Sequence, residues 1–115
     1  MKTHAVTLLM PERQTEIRVR EDQHIWDAAK EQGIELPSIC HQGRCLTCAG
    51  RLEGEGTGQG DFDNSDATYY FPQDREAGFI LLCTAKPRSD LRINTHQQHH
   101  MRKHRLAHGL PAPYS

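Results

Sequence analysis

Apolar and polar positions alternate weakly from Thr3 to Met10 among strand-forming residues, and Pro11 closes the run. Residues 15–20, TEIRVR, alternate cleanly, with Ile17 and Val19 on one face. The polar stretch PERQ between the two runs predicts a hairpin turn. The period then lengthens. Asp22 is a candidate N-cap, and His24 to Gln32 predict a helix ending at Gly33, with Ile25, Ala28, Ala29 and Trp26 turned inward. Trp26 reads as core filler, because large aromatic rings usually bury. Pro37 stops any further helix. Ala49 to Glu53 predicts a short strand, and the four glycines of GEGTGQGDF, residues 54–62, predict a surface loop. Turns and one or two short helices are expected from Asp63 to Gly78. Phe79 to Ala85 predicts an apolar strand ended by Pro87, and Asp90 to Thr95 a last alternating strand with Leu91 and Ile93 inward. Two strands, a helix and further strands, without internal repeats, read as α+β.

At 115 residues the chain has room for one domain with one modest core. An apolar content of 36% beside 25% charge marks a globular but polar sequence. No run of about 18 apolar residues exists, so no membrane span is expected. The first residues lack a long apolar segment and a small-residue cleavage site, and Glu12 and Glu16 argue against a transit peptide. The net charge of −1 is unevenly placed. Residues 1–95 carry 15 acids against 11 Lys and Arg, whereas residues 96–115 carry Arg102, Lys103 and Arg105 and no acid. The expected division is therefore an acidic body, 1–95, and a basic, histidine-rich C-terminal extension, 96–115. Neither sign is strong enough to imply nucleic acid.

Four cysteines change the picture. Cys40, Cys45 and Cys48 lie in CHQGRCLTC, and Cys83 follows after 34 intervening residues. C-x4-C-x2-C with a distant fourth cysteine is the ligand spacing of plant-type [2Fe–2S] clusters. The count alone also permits a four-cysteine zinc site or two disulfides. Zinc sites usually pair close cysteines, and Cys83 has no close mate. In a reducing cytoplasm, the expected compartment, cysteine clusters are more often metal ligands than disulfides. Gly43 suits a loop whose backbone approaches a bound group closely. No nucleophile–base pair, phosphate loop or flavin motif stands in the sequence, so enzyme activity is not expected.

The flanks carry a resemblance. Leu36-Pro37, Gly43, Thr47-Cys48-Ala49-Gly50-Arg51, and upstream Asp27-Ala28-Ala29 with Glu31-Gln32-Gly33, resemble the cluster region of plant-type and cyanobacterial [2Fe–2S] ferredoxins. Residues 76–83, EAGFILLC, and Ser89-Asp90-Leu91 with Thr95-His96 are similar to the same family, so the likeness spans about residues 5 to 96. It implies a β-grasp (ubiquitin-like, [2Fe–2S] ferredoxin type) fold: a mixed sheet, one main helix and a cluster-binding loop at one edge. The implied cofactor is one [2Fe–2S] cluster per chain, ligated by Cys40, Cys45, Cys48 and Cys83. Cys40 and Cys45 would hold the outer iron, which takes the electron, and Cys48 and Cys83 the inner one. The implied function is that of a soluble one-electron carrier of low potential, monomeric, between a ferredoxin reductase or photosystem and a dedicated acceptor. The alternative is a structural or regulatory four-cysteine zinc-binding module.

The chain also departs from the family pattern. Ser38-Ile39 replaces the usual aromatic-Ser before the first cysteine, and His41 replaces the usual Arg after it. Ile39 offers no hydroxyl and neutral His41 less positive charge, so the expected potential is at or below the plant-type norm of about −400 mV. The surface aromatic used for docking falls on Tyr69, but the acids beyond it fall on Phe71, Pro72 and Gln73, and the C-terminal acidic pair on Gln98 and His99. Weaker steering and a specialised partner, in contact with Tyr69 and the C-terminal tail, are therefore expected. Asp61, Asp63, Asp66 and Asp74 are the acids left to steer in the usual way. Phe71 reads as packing. His96, His100, His104 and His108 recur every fourth residue. They are compatible with a docking arm for an acidic partner or a metal site, but Met101 and Leu106 offer little to bury. A solvated or loosely packed extension is the expectation.

Overall fold

The computed structural model describes residues 2–37, 46–53 and 61–112. The first two runs pair as predicted. β1 (Thr3–Leu9) and β2 (Gln14–Arg20) form an antiparallel hairpin, with Val6 facing Ile17 and Leu8 facing Thr15. Val6, Leu8, Ile17 and Val19 are buried, so the even positions of β1 and the odd positions of β2 share the core face. Helix α1 (Ile25–Glu31) buries Ile25, Ala28 and Ala29. Gly33, at a φ of +84°, ends it as predicted, where a Cβ would strain the backbone. Its N-cap residue is His24 rather than Asp22, and no side chain caps it. The first helical amides are satisfied from elsewhere in the chain, which a local reading does not reveal.

β3 (Ala49–Leu52) follows, then β4 (Phe62–Asp63), the short helix α2 (Pro72–Glu76), β5 (Phe79–Leu81), β6 (Lys86–Pro87) and β7 (Leu91–Asn94). The main sheet has the order β2-β1-β7-β3-β5, with β1 and β7 parallel and the other pairs antiparallel. This is the mixed β-grasp sheet that the resemblance implies. The predicted strand from Phe79 to Ala85 is shorter than expected. It leaves the sheet after Leu81, and Cys83 sits in the turn beyond. Pro87 does not merely end it, because Lys86 and Pro87 pair with Asp63 and Phe62 in a second, two-stranded sheet.

The largest departure is at the C-terminus. Gln98–Ala107 form α3, the longest helix of the described residues, where one main helix across the sheet was expected. It is not loosely packed. Met101 and Arg105, one turn apart, are fully buried. The Gln97 amide donates to the Ala49 carbonyl on β3 at 3.0 Å. His96, at a φ of +58°, turns the chain into this helix, and Gly109, at +67°, leads it out. Leu106 is 61% exposed, as expected of a residue with nothing to bury against.

Candidate functional site

Cys48 and Cys83 are 35 residues apart in sequence, and their Sγ atoms lie 3.0 Å apart in the buried interior. That separation is well beyond a disulfide bond of about 2.05 Å. Cys40 and Cys45 lie outside the described residues, as do Ile39, His41, Gly43 and residues 54–60 of the glycine segment; the end of that segment is not a surface loop, since Phe62 is buried in β4.

Backbone bonds bring the two sulfurs together. The Leu82 amide donates to the Cys48 carbonyl at 3.2 Å, joining the two cysteine segments directly. At the start of α1, the Ile25 and Trp26 amides donate to the Ala85 and Leu82 carbonyls, each at 2.9 Å. These are the helical amides that lack an internal acceptor, and here they grip the turn that carries Cys83. Trp26 is more than filler. It is partly buried, and its indole Nε1–H donates to the Leu36 carbonyl at 2.7 Å, next to Pro37 and the start of the cysteine stretch.

Two residues to which the sequence assigned no structural role complete the scaffold. The buried Asn64 accepts from the Leu81 amide at 2.9 Å and donates to Thr84 Oγ1 at 2.8 Å. It thereby brackets Cys83 from both sides. A lone asparagine in a polar stretch carries no sequence signal for this role. Gly50 follows the Cys48-Ala49 pair on β3, and a Cβ there would come within 2.7 Å of Ile93 Cγ2. Only glycine lets β7 approach so closely.

Thr47 Oγ1 is buried and has no hydrogen-bond partner among the described residues. An unpaired hydroxyl in the interior is costly, about 1–3 kcal/mol. Here it stands beside Cys48 in the cysteine stretch. Two converging buried thiols with an unpaired donor alongside suit a thiophilic metal group with sulfur acceptors. Among the described residues no set of three or more His, Cys, Asp or Glu side chains is placed to hold a metal ion, and the four-residue histidine repeat forms none.

The acids expected to steer a partner are all engaged. Asp61 meets Arg75 at 2.7 Å, Asp63 meets Arg88 at 3.0 Å, and Asp66 meets His24 at 2.8 Å and Lys86 at 3.1 Å. Hydrogen bonds from Ser65 and Arg88 hold the Asp63 carboxyl down at about 2. Asp74 is fully buried against Arg105. It also accepts from the Phe71 amide at 2.9 Å, half of a capping box for α2, since Phe71 has no side-chain acceptor to complete it. Tyr69 is 38% exposed and stacks on Phe71, with ring centroids 6.5 Å apart. Tyr70 turns inward, and its hydroxyl donates to the Phe79 carbonyl.

Residues 9–88 match the family model described as a 2Fe-2S iron-sulfur cluster binding domain. The chain belongs to that family. A heterocyst ferredoxin of Microchaete diplosiphon is 37% identical over 100 residues, covering 85% of this chain and 96% of the relative. A heterocyst ferredoxin of Nostoc sp. is 40% identical over 84 residues, covering 73% and 80%. Among solved structures, pectocin M2 superposes with a TM-score of 0.73 at 30% identity, covering 85% of this chain. A ferredoxin reductase of carbazole 1,9a-dioxygenase gives 0.60 at 26% identity over 83%. The chain spans only about a third of the length of each of these two solved chains. Within the family the relatives identify a plant-type [2Fe–2S] ferredoxin: an electron-transfer protein rather than an enzyme, with a [2Fe–2S] cluster as its cofactor and redox proteins as its partners. The zinc-module alternative is not favoured.

Proposed function

We propose that Cys40, Cys45, Cys48 and Cys83 ligate one [2Fe–2S] cluster, and that the chain is a soluble, cytoplasmic, monomeric carrier of single electrons at low potential. Residues 1–95 form the cluster domain, and residues 96–115 are an appended segment, of which the described part, 96–112, packs onto it. The observation that carries the reading is the convergence of the Cys48 and Cys83 sulfurs to 3.0 Å inside the fold. When bound, the cluster supplies a site that accepts and releases one electron. The chain's own residues orient the thiolates, through Leu82, Asn64 and the α1 amides, and exclude water from Cys48 and Cys83 by burying them. No proton transfer by a side chain is needed.

Protein prepared anaerobically should contain two irons and two acid-labile sulfides per chain, and dithionite should produce the EPR signal of a reduced [2Fe–2S] centre. Exchange of any one of the four cysteines for Ala should abolish or alter that signal. Colourless protein with zinc and no labile sulfide would refute the assignment.

The acceptor is a specialised redox protein, not the partner of a main photosynthetic carrier. Support comes from the paired state of Asp61, Asp63, Asp66 and Asp74, which leaves none of these four carboxylates free to steer a basic partner. Electron transfer to ferredoxin–NADP reductase should be slow and nearly indifferent to salt. A fast rate that falls steeply with salt would contradict this reading.

A further inference from the structure

α3 lies beyond the residues matched by the family model, and its chemistry is opposite in sign to that of the body. We propose that its outer face, together with Tyr69, is a docking surface for a redox protein that presents carboxylates around an apolar patch. This deepens the specialised-partner reading above and rests on it.

Two large apolar side chains are exposed among the described residues, Tyr69 and Leu106. They belong to the two segments that Arg105 joins. The Arg105 guanidinium donates to the Tyr69 carbonyl at 2.9 Å and to Pro111 at 2.7 Å, and lies 4.8 Å from the Phe71 ring centroid. A buried side chain therefore staples the aromatic pair to the helix. His99, Lys103 and Leu106 fall at i, i+4 and i+7 on the exposed side of α3, with the half-exposed Arg102 between them. An exposed leucine rimmed by cations has the layout of an interface centre with a polar rim.

The sign of the partner follows from charge. Residues 96–112 contain no carboxylate, and Asp74, against which Arg105 packs, is buried and neutralised by it. A basic partner would meet Arg102 and Lys103 on a segment that has no carboxylate of its own. The helix is also held in place before any partner arrives. Met101 and Arg105 are fully buried, and Gln97 is bonded to β3 beside Cys48. Docking then orders little chain, which lowers its entropic cost.

Cytochrome c is a basic one-electron acceptor, and succinylation converts its lysines into carboxylates. This gives two probes with the same haem and opposite surface charge. In each reaction one electron leaves the reduced cluster and ferric haem becomes ferrous. Stopped-flow rates from the reduced holoprotein to both forms should be compared at low ionic strength. The pair Arg102→Glu/Lys103→Glu should lower the ratio of the succinylated to the native rate about tenfold. Lys2→Glu/Arg18→Glu, an equal charge change on exposed residues at the opposite, β1–β2 side of the sheet, should lower it less than threefold. Leu106→Asn should slow the succinylated form alone. Equal effects of the two charge reversals would reduce the surface to net charge and overturn the proposal, as would an unchanged ratio. If neither cytochrome is reduced at all, the carrier assignment itself fails, a result distinct from both.

Discussion

Arg105 sits on Asp74 with neither side chain exposed: its Nε is 2.9 Å from Oδ1 and 3.0 Å from Oδ2, and a terminal nitrogen is 2.9 Å from Oδ2. The pair spans 31 residues and ties the C-terminal helix to α2. A buried ion pair repays its desolvation only when the remaining donors are bonded too, and here the carbonyls of Tyr69 and Pro111 take them.

Removing one member should therefore hurt more than removing both. Arg105→Met should destabilise the holoprotein by about 3–5 kcal/mol, because Asp74 is left charged and buried. Asp74→Leu combined with Arg105→Met should recover at least half of that loss. Urea unfolding monitored at the cluster absorbance and by far-ultraviolet circular dichroism measures both.

His104 gives the fold a pH dependence. Its ring lies 5.2 Å from that of Phe79, and its Nε2 is 3.2 Å from Asp74 Oδ1, though too poorly aligned for a hydrogen bond. Burial lowers its pKa below 6.5. The Asp74 charge opposes the shift, while His108, Arg105 and Arg51 add to it. The unfolded chain thus binds a proton more readily than the folded one. Stability should be at its full value above pH 6.5 and should decline as pH falls below it. In His104→Phe this decline should flatten, measured as the urea midpoint between pH 5 and 7.5.

Thr47 tests the cluster environment directly. Its buried hydroxyl has no partner among the described residues. A donor directed at cluster sulfur favours the more negative, reduced form. Thr47→Val should lower the reduction potential by tens of millivolts, where 59 mV is about a tenfold change for one electron. Thr47→Ser should stay near the parent value. An unchanged potential in Thr47→Val would show that the hydroxyl has another partner.

Ile39 bears on the same quantity from the other side of the cysteine stretch. Ile39→Ser restores the hydroxyl usual in the family and should raise the potential in a redox titration. No upward shift would refute the expectation of a potential at or below about −400 mV on these grounds.

Gly50→Ala should weaken the cysteine scaffold without touching a ligand. The new methyl would meet Ile93 Cγ2 at 2.7 Å and the Asn94 carbonyl oxygen at 3.2 Å. Overpacking of this kind costs about 1–3 kcal/mol. A lower thermal midpoint and faster loss of cluster absorbance are the expected signs.

Periodicity and punctuation were enough to place the first hairpin, α1 and the last strand. The alternation in TEIRVR, the stop at Gly33 and the inward Leu91 and Ile93 all recur in the structure, because each depends on neighbours within a few residues. Cysteine spacing and the flanking residues were likewise enough to identify the family. What the sequence did not carry was decided by contacts between distant segments. Asn64 bracketing Cys83, the α1 amides gripping the Leu82 and Ala85 carbonyls, and Pro87 pairing with Phe62 have no local signature. The tail shows this most clearly. A helix rich in His, Arg and Lys, with one methionine to bury, reads as a solvated extension. Arg105 packs inside only because Asp74 and two carbonyls wait for it across the fold, and pairing of that kind is a property of the assembled structure alone.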